Sequence, residues 1–400
     1  MHIAVFSQYH TNPDCPATSR HYTLLAHIAR MHRVTLITTR TWEPQQLTHE
    51  FPWVPAGVEL RAAQVPYQNR MGTLRRGLAF GQYAAYALRE GMCIDKPDVV
   101  WGISTPLTAA WAAAQVARWR QVPWVFEVQD LWPAFPIAMG AVPNLWAQRR
   151  LLSLEKKLYQ SARHILPLSP DMTAYIRGLG VPDDKLATVL NGTDLDLAAH
   201  ATDEAVAALR QELQLHGKRV VLYAGTFGRA NNIAMLLEAA TQLAANCPEV
   251  TWLFMGHGFD ERLVQQAAAR YPFIRLIPPQ PRHAVFTWFR LADISIVSFL
   301  GLPILDANSP AKLYDSLAVG TPVVVTNSGW TRALIERHQC GWFTPADSPS
   351  SLAGLLQKLF THPDVLQAAG DKGQKVAQAI FDRQHLADQV QGILEQAARQ

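Results

Sequence analysis

The sequence is poor in features that staple, metallate or anchor a chain. It holds 4 cysteines in 400 residues (Cys15, Cys93, Cys247 and Cys340), far apart and with no C-x-x-C pair. That spacing excludes a disulfide framework and a zinc ribbon and suits a reducing compartment. No apolar run reaches the roughly 18 residues of a membrane-spanning helix. The most apolar long stretch, Leu107 to Ala117, ends in Arg118-Trp-Arg120. The opening residues MHIAVFSQYH read as a strand, not as a secretory signal. The 14 histidines show no H-E-x-x-H or comparable ligand spacing. Ser7-Gln-Tyr-His10 stands where a dinucleotide-binding fold carries G-x-G-x-x-G. A Walker loop and a G-x-S-x-G elbow are also missing, which sets aside P-loop enzymes and α/β-hydrolases.

Hydrophobic residues make up 49% and charged residues 17%, so the chain is globular. Its length predicts two domains. Residues 1–195 carry 19 Lys/Arg against 14 Asp/Glu and the remainder 17 against 18, so the net +4 sits in the first half. This charge is too weak for nucleic acid.

Short apolar runs alternate with helical patterns, which predicts βαβ units and parallel sheets. The expected strands are Ile3–Ser7, Val34–Thr38, Val99–Gly102, Trp124–Val128, His164–Leu168 and Ala187–Leu190, then Val220–Ala224, Val250–Met255, Ile274–Ile277, Ile294–Phe299 and Val323–Thr326. The last 50 residues read as helix only. The theme restarts after the Asn191-Gly192 turn, so two doubly wound Rossmann-like α/β domains are expected, their parallel sheets facing across a cleft. The basic, aromatic stretch Pro66–Arg89 reads either as a membrane-surface segment or as a helix with a solvated basic end.

Five constellations lie at expected strand ends. Val220–Arg229 runs from strand into a glycine loop, where Gly225 and Gly228 admit a ligand to the backbone and Arg229 supplies a cation for phosphate, or else form a plain turn. In Ile304–Asp315, Ser309 is placed as N-cap and Pro310 at the first helical position. Lys312 and Asp315 share one helical face, which fits a diphosphate and a sugar diol, the alternative being a surface ion pair. Gly256-His-Gly258 is a third turn, with His257 read as a loop residue. Glu127 and Asp130 end an apolar strand ahead of Trp132-Pro133, facing a ligand or capping a turn. Arg20, after Pro16-Ala-Thr-Ser19 and before His21-Tyr22, could reach a phosphate. Asp194-Leu-Asp196 is a D-x-D of low specificity for a metal.

In order and spacing these pieces resemble the family-4 retaining glycosyltransferases of the GT-B fold. They come nearest to the bacterial N-acetyl-L-fucosaminyltransferase-like enzymes of surface-polysaccharide assembly. The motifs are Thr18-Ser-Arg-His-Tyr22, Phe126-Glu-Val-Gln-Asp-Leu-Trp-Pro133, Leu168-Ser-Pro170, Asn191-Gly-Thr-Asp194, Tyr223–Asn231, Gly256-His-Gly258 and Asn308-Ser-Pro-Ala-Lys-Leu-Tyr-Asp315. The resemblance implies an acceptor domain over 1–195, a nucleotide-sugar domain over 196–385, and a helix over 386–400 packing back on the first. Asp315 would grip the ribose, Arg229 and Lys312 the diphosphate, and Asp306 would face the donor sugar. Gln280, in the Pro278–Arg282 loop, would line the base, with Gly225, Thr226, Gly228, Gly256, Gly258, Ser309 and Pro310 around the nucleotide. Arg20, His21, Glu127, Asp130 and Trp132 would serve the acceptor, with Asp130 among the catalytic groups.

The donor implied is a UDP-sugar and the acceptor a glycan on a lipid diphosphate, at the inner face of the cytoplasmic membrane, reached through Arg70–Arg89. No cofactor or metal is expected, protein cations taking its place, and no nucleic-acid partner. The sequence departs from the family pattern in three places. Asp306 lies one residue too far from Asp315, leaving Ala307 in the first acidic slot. Thr226 and Asn231 replace an Arg and Lys pair, and Gln129 stands where many relatives have a histidine. The same fold also hosts nucleotide-sugar epimerases, and a non-catalytic nucleotide-sugar binder would share these features.

Overall fold

The computed structural model describes residues 1–67 and 71–399, the side chain of Thr73 excepted. The chain divides into two units. One comprises Met1–Asn191, Ala307–Ser309 and Arg383–Gln400, the other Gly192–Asp306 and Pro310–Asp382.

The first unit is built on six strands: β1 (His2–Phe6), β2 (Arg33–Thr39), β3 (Val58–Ala63), β4 (Val99–Ile103), β5 (Trp124–Val128) and β6 (His164–Pro167). They form one parallel sheet in the order β3-β2-β1-β4-β5-β6. Ile3 lies opposite both Val34 and Val99. All five residues of β1, β4 and β5 are buried, as a sheet covered by helices on both faces requires. One face packs on the helices Arg20–Ile28 and Arg383–Arg399, which contact each other. The second of these places Leu386, Ala387, Val390, Leu394 and Ala397 in the core at helical spacing. The helices Thr73–Cys93 and Leu145–Ser161 both pack on Leu107–Arg120.

The second unit repeats the plan with β7 (Arg219–Ala224), β8 (Val250–Met255), β9 (Ile274–Ile277), β10 (Ile294–Val297), β11 (Val323–Val325) and β12 (Gly341–Phe343). Its order, β12-β11-β10-β7-β8-β9, has the same connectivity read from the opposite edge.

Several expectations need correction. Two edge strands, β3 and β12, escape the sequence reading: β3 is half-buried and carries Glu59 and Arg61, and β12 has three residues. The expected strand Ala187–Leu190 is an extended segment beside β6. It makes single backbone bonds, from Ala187 to the Ile165 carbonyl and from Val189 to the Pro167 carbonyl, each 3.0 Å, and so forms no ladder of its own. Pro310, not Ser309, occupies the N-cap, and the helix begins at Ala311. Ala307–Ser309 is held instead with the first unit, where Ser169 Oγ donates to the Ala307 carbonyl (2.6 Å) and Asn191 Nδ2 to the Ser309 carbonyl (3.0 Å). The unit boundaries fall at Asn191 and Asp382, a few residues before the expected 195 and 385. There the buried Arg383 guanidinium donates to the Asn191 carbonyl, fixing the return to the first unit at 383.

Candidate functional site

In the second unit the sheet order reverses beside β7, whose neighbours are β8 and β10. Loops leaving adjacent strands in opposite directions open a crevice at the carboxyl ends, where doubly wound sheets take ligands. The loop after β7 starts at Gly225 (φ +138°), and that after β8 contains Gly256 (φ +142°) and Gly258 (φ +155°). A Cβ on Gly256 would lie 2.0 Å from the Gly225 carbonyl oxygen, and one on Gly258 2.6 Å from that of Phe227. These two glycines therefore let the loops lie backbone against backbone. The Phe227 N–H donates to the His257 carbonyl at 2.8 Å, and His257 is a loop residue.

Lys312, in the first turn of the Ala311–Ala318 helix, reaches this crevice. Its Nζ stands 3.9 Å from the Tyr223 ring centroid, and a Cβ on Gly225 would come within 3.1 Å of it. The ammonium is buried and, among the described residues, has no hydrogen-bond partner. Burial pushes its pKa down to about 7. An unpaired buried cation is costly unless a counter-charge arrives.

Asp315, one turn on, is only 3% exposed. Both its oxygens are engaged by Arg282, through Nη1 to Oδ2 and Nη2 to Oδ1 (2.6 Å), and Thr193 Oγ1 donates to Oδ1 at 2.8 Å. Arg282 also stands 3.7 Å from Asp194. Burial opposes the guanidinium charge, yet Asp315 and Asp194 hold its pKa above the usual value. Asp315 is thus the base of a buried Arg–Asp fork rather than a free diol acceptor. Asp194, spent on Arg282, is no free metal carboxylate, and Asp196 is exposed. Among the described residues no group of three His, Cys, Asp or Glu could hold a metal.

The remaining expected donor residues are less concentrated. Asp306 accepts from the Ser328 N–H (2.9 Å) and Oγ (3.1 Å), so its carboxylate caps the loop after β11. Arg229 is exposed, its guanidinium 4.0 Å from the Phe259 ring centroid. Thr226 is exposed and lends its carbonyl to the Tyr223 hydroxyl (2.8 Å), Gly228 adjoins the Asn231 side chain, and Gln280 bonds the Pro278 carbonyl (3.1 Å). Sequence reasoning had Arg282 only as the end of the base-lining loop and missed its pairing with Asp315; it also missed Asn327, whose amide is buried beyond β11 with neither atom bonded among the described residues. No local signal names Arg282, because the burial that makes the Asp315 carboxylate need a cation is set by the fold.

The first unit gathers its own polar cluster at the carboxyl end of β5. Glu127 is fully buried, and its Oε1 accepts from Arg20 Nε (3.1 Å) and meets His21 Nε2 (3.0 Å). Its Oε2 has no partner among the described residues. Burial opposes the charge, but Arg20 and His21 outweigh it and hold the pKa down at about 2. Arg20 also donates to the Leu190 and Asn191 carbonyls (2.7 and 2.9 Å), so it is a buried strut rather than a free phosphate ligand. Gln129 Nε2 lies 3.3 Å from His21 Nε2. Asp130 accepts from Thr105 Oγ1 (3.2 Å), and burial raises its pKa. Trp132 meets Phe80 edge-on at 6.1 Å.

Two parallel-sheet Rossmann-like units, each with polar groups at the carboxyl end of its sheet, are the architecture of the GT-B fold. Two family models divide the chain: Glycosyl transferase 4-like domain matches residues 18–192, and Glycosyl transferases group 1 matches 206–376. The chain belongs to these glycosyltransferases. It is 25% identical over 322 residues to WcaI of Escherichia coli K12, a relative named for colanic acid biosynthesis, covering 76% of this chain and 77% of that one. It is 24% identical over 229 residues to spore coat protein SA of Bacillus subtilis 168, covering 53% of this chain. There the chain spans only 59% of the relative's length. Anabaena HepE, solved in complex with UDP, shares the fold with TM-score 0.68 at 17% identity, over 99% of this chain and 100% of that one.

Proposed function

We propose that this chain transfers a glycosyl group from a nucleoside-diphosphate sugar, the nucleotide being UDP, to a hydroxyl of a glycan acceptor, with retention at the anomeric carbon. The observation that carries the reading is Lys312: a buried, unbonded ammonium at the glycine crevice of β7 fits an incoming diphosphate. In this reading Lys312, with Arg229 at the rim, stabilises the leaving diphosphate as charge develops on it. A phosphate oxygen of the leaving group takes the acceptor proton, and the two protein cations do the work of a metal. HepE, a structural neighbour, was solved with UDP, which supports that nucleotide. Relatives such as WcaI support a surface-polysaccharide role. The acceptor is carried on a lipid diphosphate at the inner face of the cytoplasmic membrane, as in the N-acetyl-L-fucosaminyltransferase-like enzymes. The acceptor end of the first unit is the Glu127–Asp130–Trp132 cluster.

The test is thermal stabilisation by UDP, GDP and ADP without metal. Saturating UDP at about 100 times its Kd adds about 2.7 kcal/mol. GDP and ADP add less, and Lys312→Ala removes the UDP shift. No shift with any nucleotide would overturn the reading. Conversion of the donor sugar without acceptor would replace transfer by epimerisation, and donor binding without turnover would leave a binding protein.

A further inference from the structure

We propose that Tyr9, Tyr67, Phe80 and Trp132 form a stacking wall for a neutral sugar ring of the acceptor, with Asp130 taking one of its hydroxyls. The proposal rests on the transferase reading and gives its acceptor a chemical class.

The four rings come from four separate elements. Tyr9 follows β1, Tyr67 follows β3, Trp132 follows β5, and Phe80 lies on the Thr73–Cys93 helix. That helix belongs to the Arg70–Arg89 segment expected to touch a membrane, of which Arg70 lies outside the described residues. β1, β3 and β5 belong to one parallel sheet, so the segments after them leave from the same carboxyl edge. There the rings form a continuous row. Between centroids, Tyr9 lies 4.9 Å from Tyr67, Tyr67 6.1 Å from Phe80, and Phe80 6.1 Å from Trp132. Core packing does not account for this row. The stacked rings of the first unit's interior, Trp124, Phe126 and Tyr159, are only 4%, 1% and 1% exposed. All four members of the wall are half-buried, so each is reachable from solvent.

The chemistry of the wall selects its occupant. Tyr and Trp offer flat apolar faces with polar edges, which suit the C–H faces and hydroxyl rim of a sugar ring. Burial, with the Tyr67 hydroxyl beside it, pushes the Tyr9 phenol up, so Tyr9 keeps a neutral hydrogen-bonding hydroxyl. Asp130 stands in the same turn as Trp132, whose N–H donates to the Asp130 carbonyl at 2.9 Å. One oxygen of the Asp130 carboxylate accepts from Thr105 Oγ1 (3.2 Å), and the other has no hydrogen bond among the described residues. A hydrocarbon chain on the wall would strip water from that oxygen and give it no partner. A uronate ring would bring a second negative charge to it. A neutral ring supplies the missing hydroxyl donor.

The loop that carries Tyr9 is held in shape by its own hydrogen bonds. Ser7 Oγ donates to the Tyr9 carbonyl (2.8 Å), and His10 Nε2 donates to the Trp53 carbonyl (2.8 Å). Further along the loop the buried Asp14 carboxylate accepts from the Phe51 N–H at 2.9 Å. Rigid aromatic side chains on an anchored loop lose little entropy when a ligand arrives.

Saturation-transfer NMR with simple glycosides tests the wall. Methyl β-glucoside and methyl β-N-acetylglucosaminide take up saturation through their ring protons, and both bind more tightly than methyl β-glucuronide. Trp132→Ala and Tyr67→Ala each weaken glucoside binding roughly two- to tenfold, the worth of one aromatic contact. Trp132→Phe restores most of that loss. Asp130→Asn raises glucuronide binding towards that of the glucoside. Far-UV circular dichroism shows each variant folded. No glycoside signal, a signal that neither alanine variant changes, or glucuronide bound as tightly as glucoside overturns the proposal. So does decyl phosphate saturated through its chain protons where no glycoside is, because the wall would then hold a hydrocarbon. Glycoside signals without any UDP-induced thermal shift leave the wall standing and refute the donor reading, whereas a UDP shift without glycoside signals refutes the wall alone.

Discussion

Lys312 concentrates the chemistry of the second unit in one atom. Its folded-state pKa is near 7, against an ordinary 10.5, because the ammonium is buried. Below pH 7 the folded protein presents the charged form. Above it the amine is neutral, and binding an anion must take up a proton. UDP affinity, measured by calorimetry from about pH 6 to 9, therefore weakens above pH 7, by up to about tenfold per pH unit. Lys312→Met abolishes that slope. Unliganded Lys312→Met is also more stable than wild type below pH 7, by about 1–4 kcal/mol, since it removes an uncompensated buried charge. The advantage shrinks as pH rises from 7 towards 10.5, where the folded wild type has shed a proton that its unfolded chain retains. A pH-independent affinity would contradict this account of Lys312. The residue was legible in the sequence because Lys312 and Asp315 are neighbours on one helix. Arg282 was not: it meets Asp315 across 33 residues, and no local pattern announces a pairing set by the fold.

Elements were most legible where burial is complete. The central strands β1, β4, β5, β7 and β8 read as apolar runs because both of their faces are covered. Edge strands obey different physics. β3 is half-buried and tolerates Glu59 and Arg61, while Ala187–Leu190 has strand composition but touches β6 at alternate bonds only. Composition cannot tell these cases apart, because the difference lies in a neighbouring strand. The glycine loops show a similar limit. The sequence marks Gly225 and Gly256 as points of close approach, and the structure shows that part of this approach is loop to loop. Gly256→Ala would place its Cβ against the Gly225 carbonyl at a backbone φ of +142°, and the loop that flanks Lys312 would have to move. The expected cost is about 1–3 kcal/mol, together with weaker UDP binding. Chemical denaturation and calorimetry read both quantities. Wild-type values for the two would refute the backbone-packing account.

At the scale of the molecule the chain writes one topology twice, then returns. The repeated order was legible as a restart of strand–helix alternation after Asn191-Gly192. The return is carried by the Arg383–Arg399 helix, whose Leu386, Val390 and Leu394 share a core with Ile3, Val5, Val99 and Trp101. Helical spacing announces an apolar stripe at these positions, but it does not say which core receives it. That attribution comes from packing alone and gives a prediction that separates the two units. Leu394→Ala deletes a fully buried side chain, at an expected cost of about 2–5 kcal/mol. If the helix belongs to the first unit, amide exchange quickens along β1 and β4, about 390 and 290 residues earlier in sequence. Exchange along β7 and β8, nearer in sequence, keeps its wild-type rate. The reverse pattern would assign the helix to the second unit's core. Equal quickening in both sheets would show that the two cores open together.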